Sequence, residues 1–374
     1  MSEYTDALQR VIDETITPAA ADVDHKGRFP RESIDALAQA GVLGLVSAAE
    51  VGGGGQGMRA GADVVERLSR SCGSTAMVVL MHYAATAIIE AHGPEEVRRA
   101  IGAGRHLTTL AFSEAGSRSH FWAPQSSAVN GNGRVRLDAA KSWVTAAAEA
   151  DSYVWSSRPL AGDGPMTLWL VPAKTSGLAQ PSGFDGLGLR GNGSTPVRAK
   201  GVEIDRDAML GADGAGLDVA MAAALPWFLV LSGAFSVGLM EAVTAEATGH
   251  LAGTRLEHLD QTLAQQQLPR VDLARMRLQT DGARALLNDT LAALEAGRAD
   301  AMLRVLEIKA ATGEAAIDVT DLAMKVCGGA AFRKELGIER RFRDARAARV
   351  MAPTTDALLD FVGRAISGLP LMGA

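Results

Sequence analysis

Ala111-Phe112-Ser113-Glu114-Ala115-Gly116-Ser117-Arg118-Ser119-His120 is followed, twenty residues further on, by Lys141-Ser142-Trp143-Val144-Thr145. Taken alone, both segments are strand-and-turn chemistry, with serines for backbone hydrogen bonds and a tryptophan for packing. They sit in a region, residues 106–212, whose style differs from the rest of the chain. Val135-Arg136-Leu137, Tyr153-Val154-Trp155 and Thr167-Leu168-Trp169-Leu170-Val171-Pro172 alternate there with Gly, Asn and Pro turns. That pattern predicts an antiparallel sheet or barrel. Trp122, Trp143, Trp155 and Trp169, four of the five tryptophans, fall in it.

Outside this region the chain reads as helix. On the N-terminal side, Asp6 to Ala19 is amphipathic and Phe29-Pro30-Arg31-Glu32 opens a helix with proline in its first turn. Glu50 to Gly57 is a glycine-rich loop, followed by helices over 62–71 and 74–91, the second almost entirely apolar and therefore buried. Beyond Asp213-Gly214-Ala215-Gly216, helical stretches at 218–252, 262–297, 299–327 and 353–366 have lengths suited to a four-helix bundle. The fold class is therefore α+β, mostly α: an N-terminal helical domain (1–105), a central β-domain (106–212) and a C-terminal helical bundle (213–374).

Bulk composition narrows the partners. Hydrophobic residues make up 47% and charged residues 21% of the 374-residue chain, and a formal net charge of −6 offers no basic footprint for nucleic acid. The apolar stretch from Ala215 to Met240 is interrupted by Asp218, Pro226, Ser232 and Ser236, so it reads as a buried helix rather than a membrane span. Cys72 and Cys327 form no disulfide framework and no metal-ligand spacing is present, which with the polar N-terminus implies a cytoplasmic protein without a metal centre. The glycines at 52–57 lack the preceding strand and the Gly-Lys-Ser/Thr of a phosphate loop and read as a helix–helix connection.

The two opening segments together resemble the acyl-CoA dehydrogenases, in which Thr-Glu-Pro-Gly-x-Gly-Ser-Asp precedes Lys-x-Trp-Ile-Thr. The resemblance implies FAD held by Phe112, Ser113, Ser119, Trp143 and Thr145, with His120 replacing the family's aspartate. Such donors stabilise the negative charge that accumulates on a reduced flavin. Gly186 to Thr195 looks like the strand before the family's long helical domain, and Gly211 to Gly216 like its bridge into it. Arg255 stands where a family arginine pairs with the flavin pyrophosphate, apt chemistry for a guanidinium. Val326-Cys327-Gly328-Gly329-Ala330-Ala331-Phe332 resembles the glycine turn that meets the adenylate half of a neighbouring subunit's FAD, with Lys325 in place of a glutamine. Thr354 retains the threonine of the family's Glu-Gly-Thr. A homodimer or homotetramer is thereby implied, with an acyl-CoA or acyl-carrier-protein substrate and either an electron-transferring flavoprotein or oxygen as electron acceptor.

One element of the family pattern is missing. The glutamate that removes the substrate α-proton is replaced by Ala352, and the alternative family position, on the long helix, by Phe228. Neither can take a proton. The candidates for a substitute base are His82 on the apolar helix, His120 beside the flavin strand, and Asp356 one turn beyond Ala352. Two of them have an ordinary structural reading: a satisfied core histidine for His82, helix capping for Asp356. Two further readings stay open, a flavin monooxygenase or oxidase of the same fold, and a catalytically silent flavin- or acyl-binding subunit.

Overall fold

The computed structural model describes residues 3–118, 120–131, 133–181 and 183–372. By its contacts the chain divides into two compact units. The first runs up to Val64 and includes Ser74–Asp185 and Arg190–Phe228; the second comprises Val65–Gly73, Gly186–Leu189 and the chain from Leu229 onward.

The first unit begins with α1 (Glu3–Val11), a π-helical turn (Ile12–Ile16) and α2 (Thr17–Lys26). These make one continuous helical run, longer at both ends than the expected 6–19. Its far end is set by Gly27, whose φ of +61° ends the helix in a left-handed cap. There follow α3 (Arg31–Gln39), α4 (Met58–Ser71), α5 (Gly73–His92) and α6 (Glu95–Gly102). The glycine-rich stretch before α4 is a connection between helices, as expected. Its glycines answer to space, because a Cβ on Gly53 would lie 2.4 Å from the Ser47 carbonyl oxygen and one on Gly54 2.7 Å from that of Leu45.

The β-region holds two sheets rather than a single antiparallel one. One has the order β1 (Thr108–Ala111), β4 (Ser152–Ser157), β5 (Thr167–Pro172); the other runs β2 (Ser127–Gly131), β3 (Arg134–Val144), β7 (Thr195–Asp205), β6 (Leu178–Ala179). The first is mixed, since β1 pairs β4 in parallel while β4 pairs β5 antiparallel. Inward residues of both, among them Val135, Leu137, Tyr153, Trp155, Trp169, Val197 and Val202, form one core. Trp155 and Trp169 are cross-strand partners and fully buried. The expected strand over 186–194 is absent: those residues form turns, and the strand starts at Thr195.

A short helix, α7 (Gly216–Val219), and a π-helical turn (Ala220–Ala224) lead into α8 (Leu225–Gly253). In the second unit, a two-residue hairpin of β8 (Arg255–Leu256) and β9 (Gln261–Thr262) precedes α9 (Gln267–Glu295) and α10 (Ala301–Cys327). The second predicted helix of the bundle therefore begins at Gln267 rather than 262, because Thr262 and Gln265 close a capping box around a 3₁₀ turn. Two short helices, α11 (Ile338–Ala345) and α12 (Ala347–Val350), lead to α13 (Thr355–Ile366). Gly233 lets α8 approach α10, where a Cβ would stand 2.6 Å from Ile308. Arg277 on α9 grips Glu241 on α8 with two bonds of 2.9 and 2.8 Å. Two helical runs, Gly73–His92 and Gly216–Gly253, are long and apolar enough to cross a membrane by length and composition, and each has 78% of its apolar window buried.

Candidate active site

Phe112, Ser113 and Glu114 leave the end of β1, and Lys141 to Thr145 end β3. A β-bridge between Glu114 and Lys141 brings the two segments together, and the Ser142 N–H donates to the Ser113 carbonyl at 2.9 Å. Under that bridge lies an ion pair with Lys141 1% and Glu114 3% exposed. Lys141 Nζ donates to Glu114 Oε1 (2.6 Å), the Ser156 carbonyl (2.7 Å) and Ser156 Oγ (2.9 Å). The Glu114 carboxylate also accepts from the backbone of Gln125 (2.7 Å) and Ser126 (3.0 Å) and from the Ser126 hydroxyl. Burial alone would push the Glu114 pKa up, but the Lys141 ammonium and these donors outweigh it and hold it below the usual carboxylate value.

Next to this anchor the β3–β7 register slips between Lys141 and Val144, a bulge that takes Trp143 out of the ladder. Trp143 has φ +55°, and its side chain is 70% exposed, edge-on to Phe184 at 6.4 Å. A left-handed backbone at a bulky residue costs about 1–2 kcal/mol, so the fold spends strain to present an indole that buries little. Thr145 is buried, and its hydroxyl shares one hydrogen bond of 3.0 Å with Ser194 Oγ, which leaves one hydroxyl hydrogen of the pair available for another acceptor. Phe112 stacks with Phe121 at 6.5 Å. Ser119 lies outside the described residues. An aromatic face, hydroxyl hydrogens and backbone groups at two adjoining strand ends fit a planar, hydrogen-bonding ring system.

The candidate bases differ sharply. His82 is fully buried; its Nε2–H donates to the Leu43 carbonyl (3.1 Å) and its Nδ1 accepts the Thr108 N–H (3.2 Å). Burial pushes its pKa down to about 4. With both ring nitrogens engaged by backbone, it has no lone pair for a substrate proton and ties α5 to β1. His120 is exposed, its ring against Trp122 at 4.9 Å. Asp356 is exposed in the first turn of α13, and the N-cap is Thr354, whose Oγ1 accepts the Ala357 N–H at 3.4 Å. The capping expected of Asp356 thus falls to Thr354. Phe228 is 7% exposed, and Ala352 is half-buried.

In the second unit the charged residues expected beside the dinucleotide are engaged within the chain. Arg255 pairs with Asp260 across the hairpin, and Lys325 with the 7%-exposed Asp272 side chain at 2.7 Å. Gly328 turns the chain at the end of α10 with φ +55°; neither it nor Gly329 has an atom within 4 Å of where a Cβ would stand, so a ligand could approach this backbone.

Sequence reasoning passed over three charged residues. Glu114 and Lys141 stood inside the decisive motifs and carried a signal in that position. Lys309 is 1% exposed between buried Ile308 and Ala310, and burial pushes its pKa down to about 7. A lone lysine on an apolar helix face was its mark.

Three family descriptions match nearly the whole chain: the acyl-CoA dehydrogenase N-terminal domain over residues 2–103, the middle domain over 109–202 and the C-terminal domain over 214–367. Cyclohex-1-ene-1-carbonyl-CoA dehydrogenase of Geobacter metallireducens is 27% identical, covering 96% of both chains. Butyryl-CoA dehydrogenase from Megasphaera elsdenii superimposes with a TM-score of 0.91 over 98% of both chains at 21% identity. The prolyl acyl carrier protein oxidase AnaB gives a TM-score of 0.88 at 19% identity, over 98% of this chain and 99% of its own.

Proposed function

The chain belongs to the acyl-CoA dehydrogenase family and is an FAD-dependent flavin oxidoreductase, and from that premise we propose that it oxidises an acyl thioester without a carboxylate at the usual base position. The observation that carries this reading is Trp143, held in a strained bulge and left exposed beside Ser113. Such strain is retained where the surrounding structure fixes it, here by the Glu114–Lys141 pair.

FAD, when bound, supplies the acceptor for the two electrons that leave the substrate. Trp143 and the Ser113 and Thr145 hydroxyls hold the ring, while Thr354, Arg255, Lys325 and the Gly328-Gly329 turn serve the dinucleotide. For Arg255 and Lys325 that requires exchanging a carboxylate partner for phosphate. The α-proton needs an accessible acceptor. His120, exposed on the segment that carries Ser113, is the histidine suited to that role, since His82 has both nitrogens occupied.

The carrier of the acyl group is CoA or a carrier protein, relatives of both kinds sharing the fold. An electron-transferring flavoprotein or oxygen reoxidises the flavin, and the setting is cytoplasmic, in keeping with two buried cysteines that form no disulfide. The assembly is a homodimer or homotetramer, a reading supported by the exposed apolar side chains of Leu268, Leu278, Phe332, Val350 and Ile366 in the second unit. A monomer that holds stoichiometric FAD in sedimentation overturns the oligomer.

Loss of the carboxylate favours one second reading, a flavin oxygenase or oxidase. Anaerobic mixing with a panel of acyl thioesters separates the two. Bleaching of the flavin by a thioester supports dehydrogenation, and reduction by NAD(P)H or a second flavoprotein alone supports oxygenation.

A further inference from the structure

Lys309 sits in the middle of α10 and is 1% exposed, yet its ammonium reaches a stretch of chain about forty residues further on. Nζ donates to the carbonyls of Ala348 (2.9 Å), Met351 (3.0 Å) and Pro353 (2.9 Å). The first belongs to the last turn of α12, where helix carbonyls have no intrahelical partner. The other two flank Ala352, the position at which the family base is missing.

Neighbouring contacts fix the same stretch from the same helix. One turn along α10, Gly313 leaves room for Ala348, and a Cβ there would come 3.2 Å from the Ala348 methyl. Arg349 pairs with Glu314, the next residue of α10, through Nε and Oε1 at 2.8 Å. Downstream, Thr354 caps α13. Residues 348–354 thus lie between a helix end and a helix start, with one ammonium gathering the carbonyls between them. Burying that ammonium costs several kcal/mol before its bonds are counted. A methionine would fill similar volume without that cost but could not draw three carbonyls together.

We propose that Lys309 is the positioning residue of segment 348–354: its ammonium sets the backbone that carries Ala352 and Thr354. The shaping of the segment follows from the bonds above; its meaning for flavin rests on the reading under Proposed function. The same logic makes any glutamate introduced at position 352 dependent on Lys309.

The test uses the full chain with Lys309→Met and Lys309→Ala, read by hydrogen exchange and by titration of apoprotein with FAD. In Lys309→Met the amides of residues 347–358 exchange at least about tenfold faster while those of α9 keep their protection, and the FAD dissociation constant rises about tenfold. Propylammonium, which replaces the atoms deleted in Lys309→Ala, reverses part of both changes in that variant and is without effect on Lys309→Met. Unchanged exchange in 347–358, faster exchange spread equally over α9, or faster local exchange with unaltered FAD affinity each overturns the proposal. Absence of propylammonium rescue does so as well, and it decides the matter if Lys309→Met does not fold. If the wild-type chain binds no FAD, the flavin reading falls on its own, and the exchange result still judges whether Lys309 shapes the segment.

Discussion

Lys141 in the first unit and Lys309 in the second are equally buried, at 1% exposure, but they hold different things. Lys141 meets a carboxylate, Glu114, and through it locks two strand ends side chain to side chain. Lys309 meets three backbone carbonyls and locks a loop through its main chain. The first arrangement fixes register and can carry strain next to it, as the Trp143 bulge shows. The second leaves side chains in the loop unconstrained by the tie, so that an alanine can stand at position 352 without disturbing the backbone.

The contrast predicts unequal penalties. Lys141→Met leaves Glu114 buried without its counter-charge and is expected to cost about 3–5 kcal/mol in chemical denaturation. Glu114→Leu combined with Lys141→Met recovers most of that loss. If the double variant is no better than the single one, the pair is not what sets the stability there. Lys309→Met deprives three carbonyls of a donor, so about 1–3 kcal/mol is expected. An equal or larger loss than for Lys141→Met would erase the distinction.

A smaller effect concerns strain. Trp143→Gly removes the left-handed penalty while losing little packing, so the apoprotein melts at the same temperature or gains up to about 1 kcal/mol, and FAD affinity falls. A marked drop in apoprotein stability would mean that Trp143 is a packing residue after all.

The smallest effect is a matter of pH. Glu114 is held below its ordinary pKa of 4.5, so its folded form binds fewer protons than the unfolded chain. Its contribution is present above pH 4.5 and lost as pH falls through the depressed folded value. Lys309 acts at the other end. Its folded pKa of about 7 lies below the ordinary 10.5, the unfolded chain binds more protons in between, and stability from this group rises from pH 7 towards 10.5. Melting curves should lose the acid limb only in Glu114→Leu with Lys141→Met, and the alkaline rise in both that variant and Lys309→Met, because burial also pushes Lys141 down, to about 8.

Much of the architecture was legible because period and composition change together at the domain edges. The buried helix α5 and the strands around Trp155 and Trp169 announce themselves by apolar runs that only a core accommodates. The mixed sheet was not legible, because parallel pairing of β1 with β4 depends on which distant strand lies alongside, and residues 108–111 carry no mark of it. His82 could be seen as a chemical group but not as a saturated one, since its partners, Leu43 and Thr108, are backbone atoms remote in sequence. Lys309 escaped for the same reason: its acceptors are carbonyls, which every residue possesses.

The central claim, oxidation of an acyl thioester by bound flavin without a glutamate base, meets its most direct test in anaerobic mixing of the FAD-loaded protein with acyl thioesters, in wild type and His120→Ala. The account predicts bleaching of the flavin by at least one thioester, slowed about 10²–10⁴-fold in His120→Ala with FAD still bound. Flavin that no thioester reduces, or equal rates in the two proteins, would contradict it.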